Sequence, residues 1–316
     1  MITESNSTGF RAEILEKSIY LLNLLTAFQR HSSISGKLAL KGGTALNLFY
    51  FDIPRLSVDI DLNYTGSIDR DGMLSEREDI EKAIQAVCQR EDLFVTKSSS
   101  EHAGGKWRFR YPSALGGTGN LELDLNFMYR VPLWLPLEKN SVFIGTYSAK
   151  GIPVMDLHEV TAGKLAALFS RRASRDMFDV HWLLNQANLD MNKLRFGFML
   201  YGAMNRRDWR TISQADLSYE TREVENQLFP VLSSKVRYAL KKDWTQKLLE
   251  DCSRLISPLL SFTEQETEFF DSLLDHGDLK VDLLTSDPEQ IARIEQHPLL
   301  QWKALNVKSH KQNPNK

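Results

Sequence analysis

Residues 40–64 read LKGGTALNLFYFDIPRLSVDIDLNY. A short apolar run, Leu38-Ala39-Leu40, enters a Gly42-Gly43-Thr44 turn, and a helical stretch follows from Ala45 to Phe51. A strand that turns on glycines into a helix is a setting in which backbone N–H groups can receive a phosphate. Pro54 interrupts, and the pattern changes to strict alternation. Arg55, Ser57, Asp59, Asp61 and Asn63 take one face, while Leu56, Val58, Ile60, Leu62 and Tyr64 take the other. One face packs and the other carries two aspartates.

A third carboxylate comes from a hairpin further on. Lys106, Arg108 and Arg110 alternate with Trp107, Phe109 and Tyr111, and Gly116-Gly117-Thr118-Gly119 makes the turn. On the return arm Glu122, Asp124 and Asn126 alternate with Leu121, Leu123, Leu125 and Phe127. Antiparallel pairing of the arms would place basic and acidic side chains on one polar face beside Asp59 and Asp61. Three carboxylates at strand ends suit divalent cations, which clamp the attacking and leaving oxygens of a phosphoryl or nucleotidyl transfer. Mg²⁺ takes oxygen ligands, one or two carboxylates together with substrate phosphates. The combination implies an enzyme acting on nucleotides.

Outside these segments, helical spacing is expected from Arg11 to Arg30 and from Ser75 to Arg90. After Pro153 the strand signal fades. Periodic stretches at Leu157–Phe169, Asp176–Leu184, Met191–Met204, Thr245–Leu255 and Glu264–Leu274 read as helices. The expected fold is therefore α/β (α+β): a core with a short mixed sheet over residues 1–150, then a helical domain over 151–316. The 316 residues suffice for two such domains, and 42% apolar content supplies their cores. Cys88 and Cys252 stand far apart, without CxxC or Cys/His spacing, so neither a disulfide framework nor a zinc site is suggested. The N-terminus lacks a secretory pattern and no apolar run approaches a membrane span, which makes a cytoplasmic protein without membrane partners the expectation. Net charge is −2, so nucleic-acid contact requires local patches. Arg206, Arg207 and Arg210, with Lys235, Arg237, Lys241 and Lys242, offer such a footprint for RNA phosphates, or else ordinary surface charge.

Each motif has a plain alternative. A glycine pair is common punctuation between strand and helix, and an exposed strand face often carries carboxylates. Glycosyltransferases also use a DxD, but on a larger doubly wound domain than these short strands supply. Lys164, Arg171, Arg175 and Asp179 would share one stripe on a continuous helix, which is either a solvated charged face or a phosphate-binding one. Ser174 could instead cap a fresh helix, leaving a kink after Arg171-Arg172. The ordered succession of glycine turn, DxD strand, basic strand and acidic strand favours the chemical reading.

Taken together, these stretches resemble the AbiEii-type nucleotidyltransferase toxins of type IV toxin–antitoxin systems, within the DNA polymerase β-like superfamily. LKGGTALNLFY with RLSVDIDLNY resembles that family's glycine-glycine-serine/threonine turn and DxD. KWRFRYP and LELDLNF resemble its paired strands, and GKLAALFSRRASRDMFDVHWLL its distal lysine and RDxxD motif. HPLLQWKALNV resembles its C-terminal ending. The spacing from Thr44 to Asp59 is longer than in many superfamily members.

The resemblance implies transfer of a nucleotide from an NTP to an acceptor, in relatives the 3′ end of tRNA, which blocks translation and growth. Asp59, Asp61 and Asp124 would hold Mg²⁺ or Mn²⁺, with Asp124 assisting deprotonation. Gly42, Gly43 and Thr44 would receive phosphate oxygens. Lys164 with Arg108, Arg171 and Arg175 would neutralise the leaving pyrophosphate, and Asp176 and Asp179 would orient Lys164 and Arg175 or contact the nucleotide. A cognate antitoxin, a DNA-binding repressor encoded alongside, is the implied partner. The alternatives are a small-molecule (aminoglycoside-type) nucleotidyltransferase and a catalytically silent binding protein on the same fold. The first calls for an acidic acceptor pocket; the second would be free to lose its three aspartates.

Overall fold

The computed structural model describes residues 2–51, 54–101, 103–240 and 243–312. The chain forms two units. One comprises residues 1–157 and 228–240, the other 158–227 and 241–316.

The first unit is built on a seven-stranded mixed sheet. Its strands are β1 (Leu38–Lys41), β2 (Asp59–Tyr64), β3 (Phe94–Glu101), β4 (Gly104–Pro112), β5 (Thr118–Asn126), β6 (Leu137–Lys139) and β7 (Ile152–Val154), in the order β3-β4-β5-β2-β1-β7-β6. The hairpin expected around Gly116 forms as β4 and β5, with Lys106 opposite Asp124 and Arg108 opposite Glu122. Sequence reading left β3 without a strand; it lines the outer edge of β4, with its register shifted between Val95 and Lys97. Strand β2 runs parallel to β5 and antiparallel to β1. Its inward residues Ile60, Leu62 and Tyr64 join Leu121, Leu123, Leu125, Trp107 and Phe109 in one apolar layer.

Helices α1 (Ile2–Thr8), α2 (Ala12–Arg30), α3 (Gly42–Ala45), α4 (Arg70–Arg90) and α9 (Ser234–Ala239) complete this unit, and α3 continues as a π-turn to Tyr50. Leu15, Leu21, Leu22, Leu25 and Phe28 of α2 and Ile80, Ile84 and Val87 of α4 pack into the same core. The buried Glu16 is one polar exception. Its carboxylate accepts from the Ser113 hydroxyl (2.8 Å) and the Ala114 amide (2.6 Å), fastening the hairpin turn to α2. Residues 228–240 return to this sheet. Val231 accepts from the Leu56 amide (3.0 Å), the Ser233 amide donates to Pro54 (3.0 Å), and Arg55 bridges Leu232.

The second unit is helical: α5 (Leu157–Arg171), α6 (Ser174–Gln186), α7 (Met191–Ala203), α8 (Thr221–Glu223), α10 (Trp244–Leu260), α11 (Glu264–Asp271), α12 (Pro288–Glu295) and α13 (Pro298–Gln312). Phe169, Phe198 and Trp209 form an aromatic centre, the rings of Phe169 and Phe198 lying 5.8 and 5.2 Å from Trp209. Such edge contacts are worth about 0.5–1.5 kcal/mol each beyond area burial. Gly202 makes room for them, since a Cβ there would strike the indole. Asp190 caps α7, and Thr263 with Glu266 forms a capping box on α11. Lys303 of α13 donates to the Asn205 carbonyl (2.5 Å), and burial pushes its pKa down to about 8.

Among the described residues, no helix is long and apolar enough to cross a membrane.

Candidate active site

The first unit assembles a row of four charges across four strands. Lys106 of β4 stands opposite Asp124 of β5, Asp124 opposite Asp61 of β2, and Asp61 opposite Lys41 of β1. Residues directly opposite on paired strands share a face, so two carboxylates lie side by side between two ammonium groups. Lys41 owes its place to the β1–β2 register, which local sequence does not display. One pleat away a second row follows, with Arg108 opposite Glu122 and Glu122 opposite Asp59. The expected trio of aspartates is thus a facing pair, Asp61 and Asp124, with Asp59 one step along beside Glu122.

Burial pushes Asp124 above the ordinary carboxylate range; the Lys41 charge opposes this, the Asp61 charge adds to it, and Lys106 opposes it again. Glu122 takes up two of the three basic residues of β4, at 3.0 Å from Lys106 Nζ and 2.7 Å from Arg108 Nε. Its hydrogen bond raises the Lys106 pKa. Arg108, expected at the nucleotide, is half-exposed and pairs with Glu122.

The glycine turn abuts this row. Gly42 has φ +71, and a Cβ there would collide with the Asp61 carboxylate. Only glycine combines that backbone with that approach. A Cβ on Gly43 would press on Ser57 Oγ at 2.7 Å and on Arg55 Nη2 at 3.0 Å. Thr44 is wholly buried, and its hydroxyl donates to the Asp59 carbonyl (2.5 Å). That hydroxyl ties the turn to β2. Asn63, two residues beyond Asp61 and opposite Asn126, is fully buried with both amide atoms unpaired. Its alternation was legible, but its unmet hydrogen-bonding capacity was not.

Among the described residues, no three His, Cys, Asp or Glu side chains are gathered closely enough to cage a metal ion. The donor chemistry nevertheless fits a hard divalent cation bound partly by substrate. Mg²⁺ commonly takes one or two carboxylates and leaves its remaining positions to water and phosphate. Asp61 and Asp124 could supply two such ligands; burial, with the Asp61 charge adding to it, raises the Asp124 pKa, and the Asp61 carboxylate packs directly against Gly42.

The second unit collects the other expected residues. Helix α5 stops at Arg171, Arg172 takes a left-handed φ of +54, and α6 starts at Ser174, so the continuous stripe is broken. Ser174 does not cap α6 with its hydroxyl; its amide donates to the Glu223 carboxylate at 2.8 Å, a partner 49 residues away. Lys164 Nζ lies 2.9 Å from both Asp176 and Asp179, which are buried. Arg171 grips Asp176 with two nitrogens, at 2.6 and 3.0 Å. Burial opposes the charge on Asp176, yet the Lys164 and Arg171 cations hold its carboxyl well below the usual range. Asp176 and Asp179 therefore orient Lys164, and Arg175 is half-buried nearby in sequence on α6.

The basic clusters separate on inspection of their partners. Arg207 pairs with Asp216, and Arg210 with Asp208, Asp271 and Asp275. Lys235 and Arg237 fall in the first unit, on α9. Lys241 and Lys242 lie outside the described residues.

A family profile, the nucleotidyl transferase AbiEii toxin of type IV toxin–antitoxin systems, matches residues 24–258, more than half of the chain. The chain belongs to the AbiEii nucleotidyltransferase toxin family. That match spans the glycine turn, the charge row and the Lys164 cluster of this AbiEii chain. Among solved structures it is similar to MenT4, a nucleotidyltransferase toxin from Mycobacterium tuberculosis H37Rv, with a TM-score of 0.60 and 16% identity over 95% of this chain and 98% of that one. At that identity the likeness establishes the fold. No curated protein sequence matches the chain.

Proposed function

We propose that this AbiEii enzyme transfers a nucleotide from an NTP to the 3′ end of an RNA, tRNA in particular, with Mg²⁺ or Mn²⁺. The observation that carries the proposal is the Lys106–Asp124–Asp61–Lys41 row with the glycine turn packed against Asp61. An acceptor hydroxyl oxygen attacks the α-phosphorus of the NTP, a new P–O bond forms, and the bond from that phosphorus to the β-phosphate bridging oxygen breaks. Pyrophosphate leaves with the bond electrons. A divalent cation held by Asp61 and Asp124, with Asp59 alongside, would stabilise the charge on these oxygens.

Asp124 is suited to receive the hydroxyl proton, because its burial makes it a stronger base than an ordinary carboxylate. Lys41 and Lys106 keep the face from becoming purely negative, which lets a polyanionic triphosphate approach. Gly42 and Gly43, at the start of α3, would offer backbone N–H groups to phosphate oxygens. In the second unit, Lys164, held by Asp176 and Asp179, and Arg171 with Arg175 are cations of the kind that neutralise a polyphosphate. Loss of competent tRNA would stop translation and growth, and a repressor-type antitoxin encoded alongside would restrain the toxin.

The test is incubation with total RNA and each radiolabelled NTP, with chelator and metal add-back, beside an Asp61→Ala control. Labelled RNA 3′ ends that vanish in chelator and in the control support the proposal. Label on aminoglycosides and none on RNA would move the acceptor to a small molecule.

A further inference from the structure

We infer that α9 is a stacking platform for single-stranded acceptor RNA, with Tyr238 as the base-stacking residue. The inference rests on the RNA-acceptor reading above. Tyr238 is 90% exposed, the most exposed large apolar side chain among the described residues. Among the described residues it has no aromatic neighbour and no polar partner.

The sequence around it is basic. The segment SKVRYALKK, residues 234–242, contains four basic residues and no acidic one in a chain of net charge −2. Lys235, exposed, precedes Tyr238 by about one helical turn and Arg237, whose Nε is buried, adjoins it; neither forms an ion pair among the described residues, whereas Arg207 and Arg210 are consumed by internal aspartates. A projecting ring set among unpaired cations matches how single strands are bound without sequence preference. The ring stacks on a base, and the cations take the phosphates.

The platform is also fixed to the segment that leads into β2. The Ser234 amide donates to Gly9 (2.7 Å), and the three residues before α9 are hydrogen-bonded or bridged to Pro54, Arg55 and Leu56. Asp59 follows Leu56 by three residues, about 10 Å of extended chain. Tyr238 follows Ser233 by five residues, about 8 Å along a helix. With the short span from Val231 to Ser233, the ring's backbone lies within about 30 Å of Asp59. A strand stacked at about 3.4 Å per nucleotide covers that in roughly nine nucleotides, fewer when extended. A base held on Tyr238 thus belongs to the last several nucleotides before the reacting 3′ hydroxyl.

The experiment compares full-length wild type with Tyr238→Ala, Tyr238→Trp and the Lys235→Gln/Arg237→Gln double variant. Affinity is measured for a hairpin RNA with an unpaired 3′ tail and for the same hairpin blunt-ended, across a salt series, with label transfer in parallel. Tyr238→Ala should weaken binding of the tailed RNA by about 5- to 150-fold, leave the salt slope unchanged and leave blunt RNA nearly unaffected. Tyr238→Trp should retain the affinity. The double variant should flatten the log–log salt slope by about 1.4. Melting temperatures should match wild type, since an exposed ring leaves no cavity. Unchanged affinity of Tyr238→Ala for tailed RNA, in an enzyme that still labels RNA, overturns the stacking role and spares the RNA-acceptor reading. Absence of any RNA binding and labelling by wild type overturns both. Lost neutralisation by the antitoxin with RNA affinity intact would assign α9 to a protein partner and also overturn the inference.

Discussion

Asp61 and Asp124 stand directly opposite one another on parallel strands, each with a lysine on its outer side. Two acids so placed share one field, and the field of Asp61 raises the proton affinity of Asp124. Asp61→Asn should therefore lower the Asp124 pKa toward its ordinary value, whereas Asp59→Asn, one pleat away, should not. Carboxyl NMR titration of the two variants distinguishes them. Equal effects would mean that the three acids act as one cluster.

Asp59→Ala and Asp61→Ala should each cut nucleotidyl transfer by about 10²–10³-fold or more. Neither residue fills the apolar core, so stability should hold within about 1 kcal/mol. Turnover and thermal melts on the same preparations test this, and near-wild-type turnover in either variant removes that residue from the site.

Lys164→Ala has two expected consequences. It leaves Asp176 and Asp179 as buried carboxylates without their shared ammonium, and breaking a buried pair costs about 3–5 kcal/mol. It should also lower turnover by about 10²–10³-fold. Lys164→Arg should recover only part of either, because a planar fork does not fit where a compact ammonium bridges two acids. Chemical denaturation read beside turnover separates the two effects; a melt like wild type would show that the pair contributes nothing to folding.

Thr44→Val removes the hydroxyl that ties the glycine turn to the Asp59 carbonyl and should cost about 1–3 kcal/mol, while Thr44→Ser should restore most of it. If the threonine instead served a phosphate, stability would be unchanged and the KM for NTP would rise.

Stability should also depend on pH through Lys303. Its folded pKa of about 8 lies below its ordinary value of 10.5. Between those values the unfolded chain binds more protons than the folded one, so stability rises with pH across that window. Below about 8 the full cost of burying the ammonium is present. Lys303→Met should flatten the rise in unfolding free energy measured from pH 8 to 10.5, and an unaltered slope would show that Lys303 stays charged.

The parts of this fold that were legible from sequence are those whose signal is periodic and local. The β4–β5 hairpin announced itself through alternation on both arms and a glycine turn, and α2 and α4 through helical spacing. Strand β3 did not, because FVTKSSSE has only two apolar residues at its start and then a serine run. The aspartates were visible as a motif, but their sorting into a facing pair and an outlier depends on the β2–β5 register, which joins segments sixty residues apart. The same holds for charge. Arg207 and Arg210 look like free cations until Asp208, Asp216, Asp271 and Asp275 fold against them. Likewise, Ser174 looks like a cap until Glu223 takes its amide.

The return of residues 228–240 to the first unit has a temporal consequence. The backbone partners of Pro54, Arg55 and Leu56, at the approach to the DxD strand, are Val231 to Ser233, which emerge from the ribosome only after residues 158–227 have been made. Closing so long a loop carries an entropic cost that is not repaid until both ends exist. A nascent chain interrupted within residues 158–227 has its aspartates but lacks the strap that steadies the segment before them. Synthesis itself thus delays completion of the segment that leads into the DxD strand until residues 231–233 have been made.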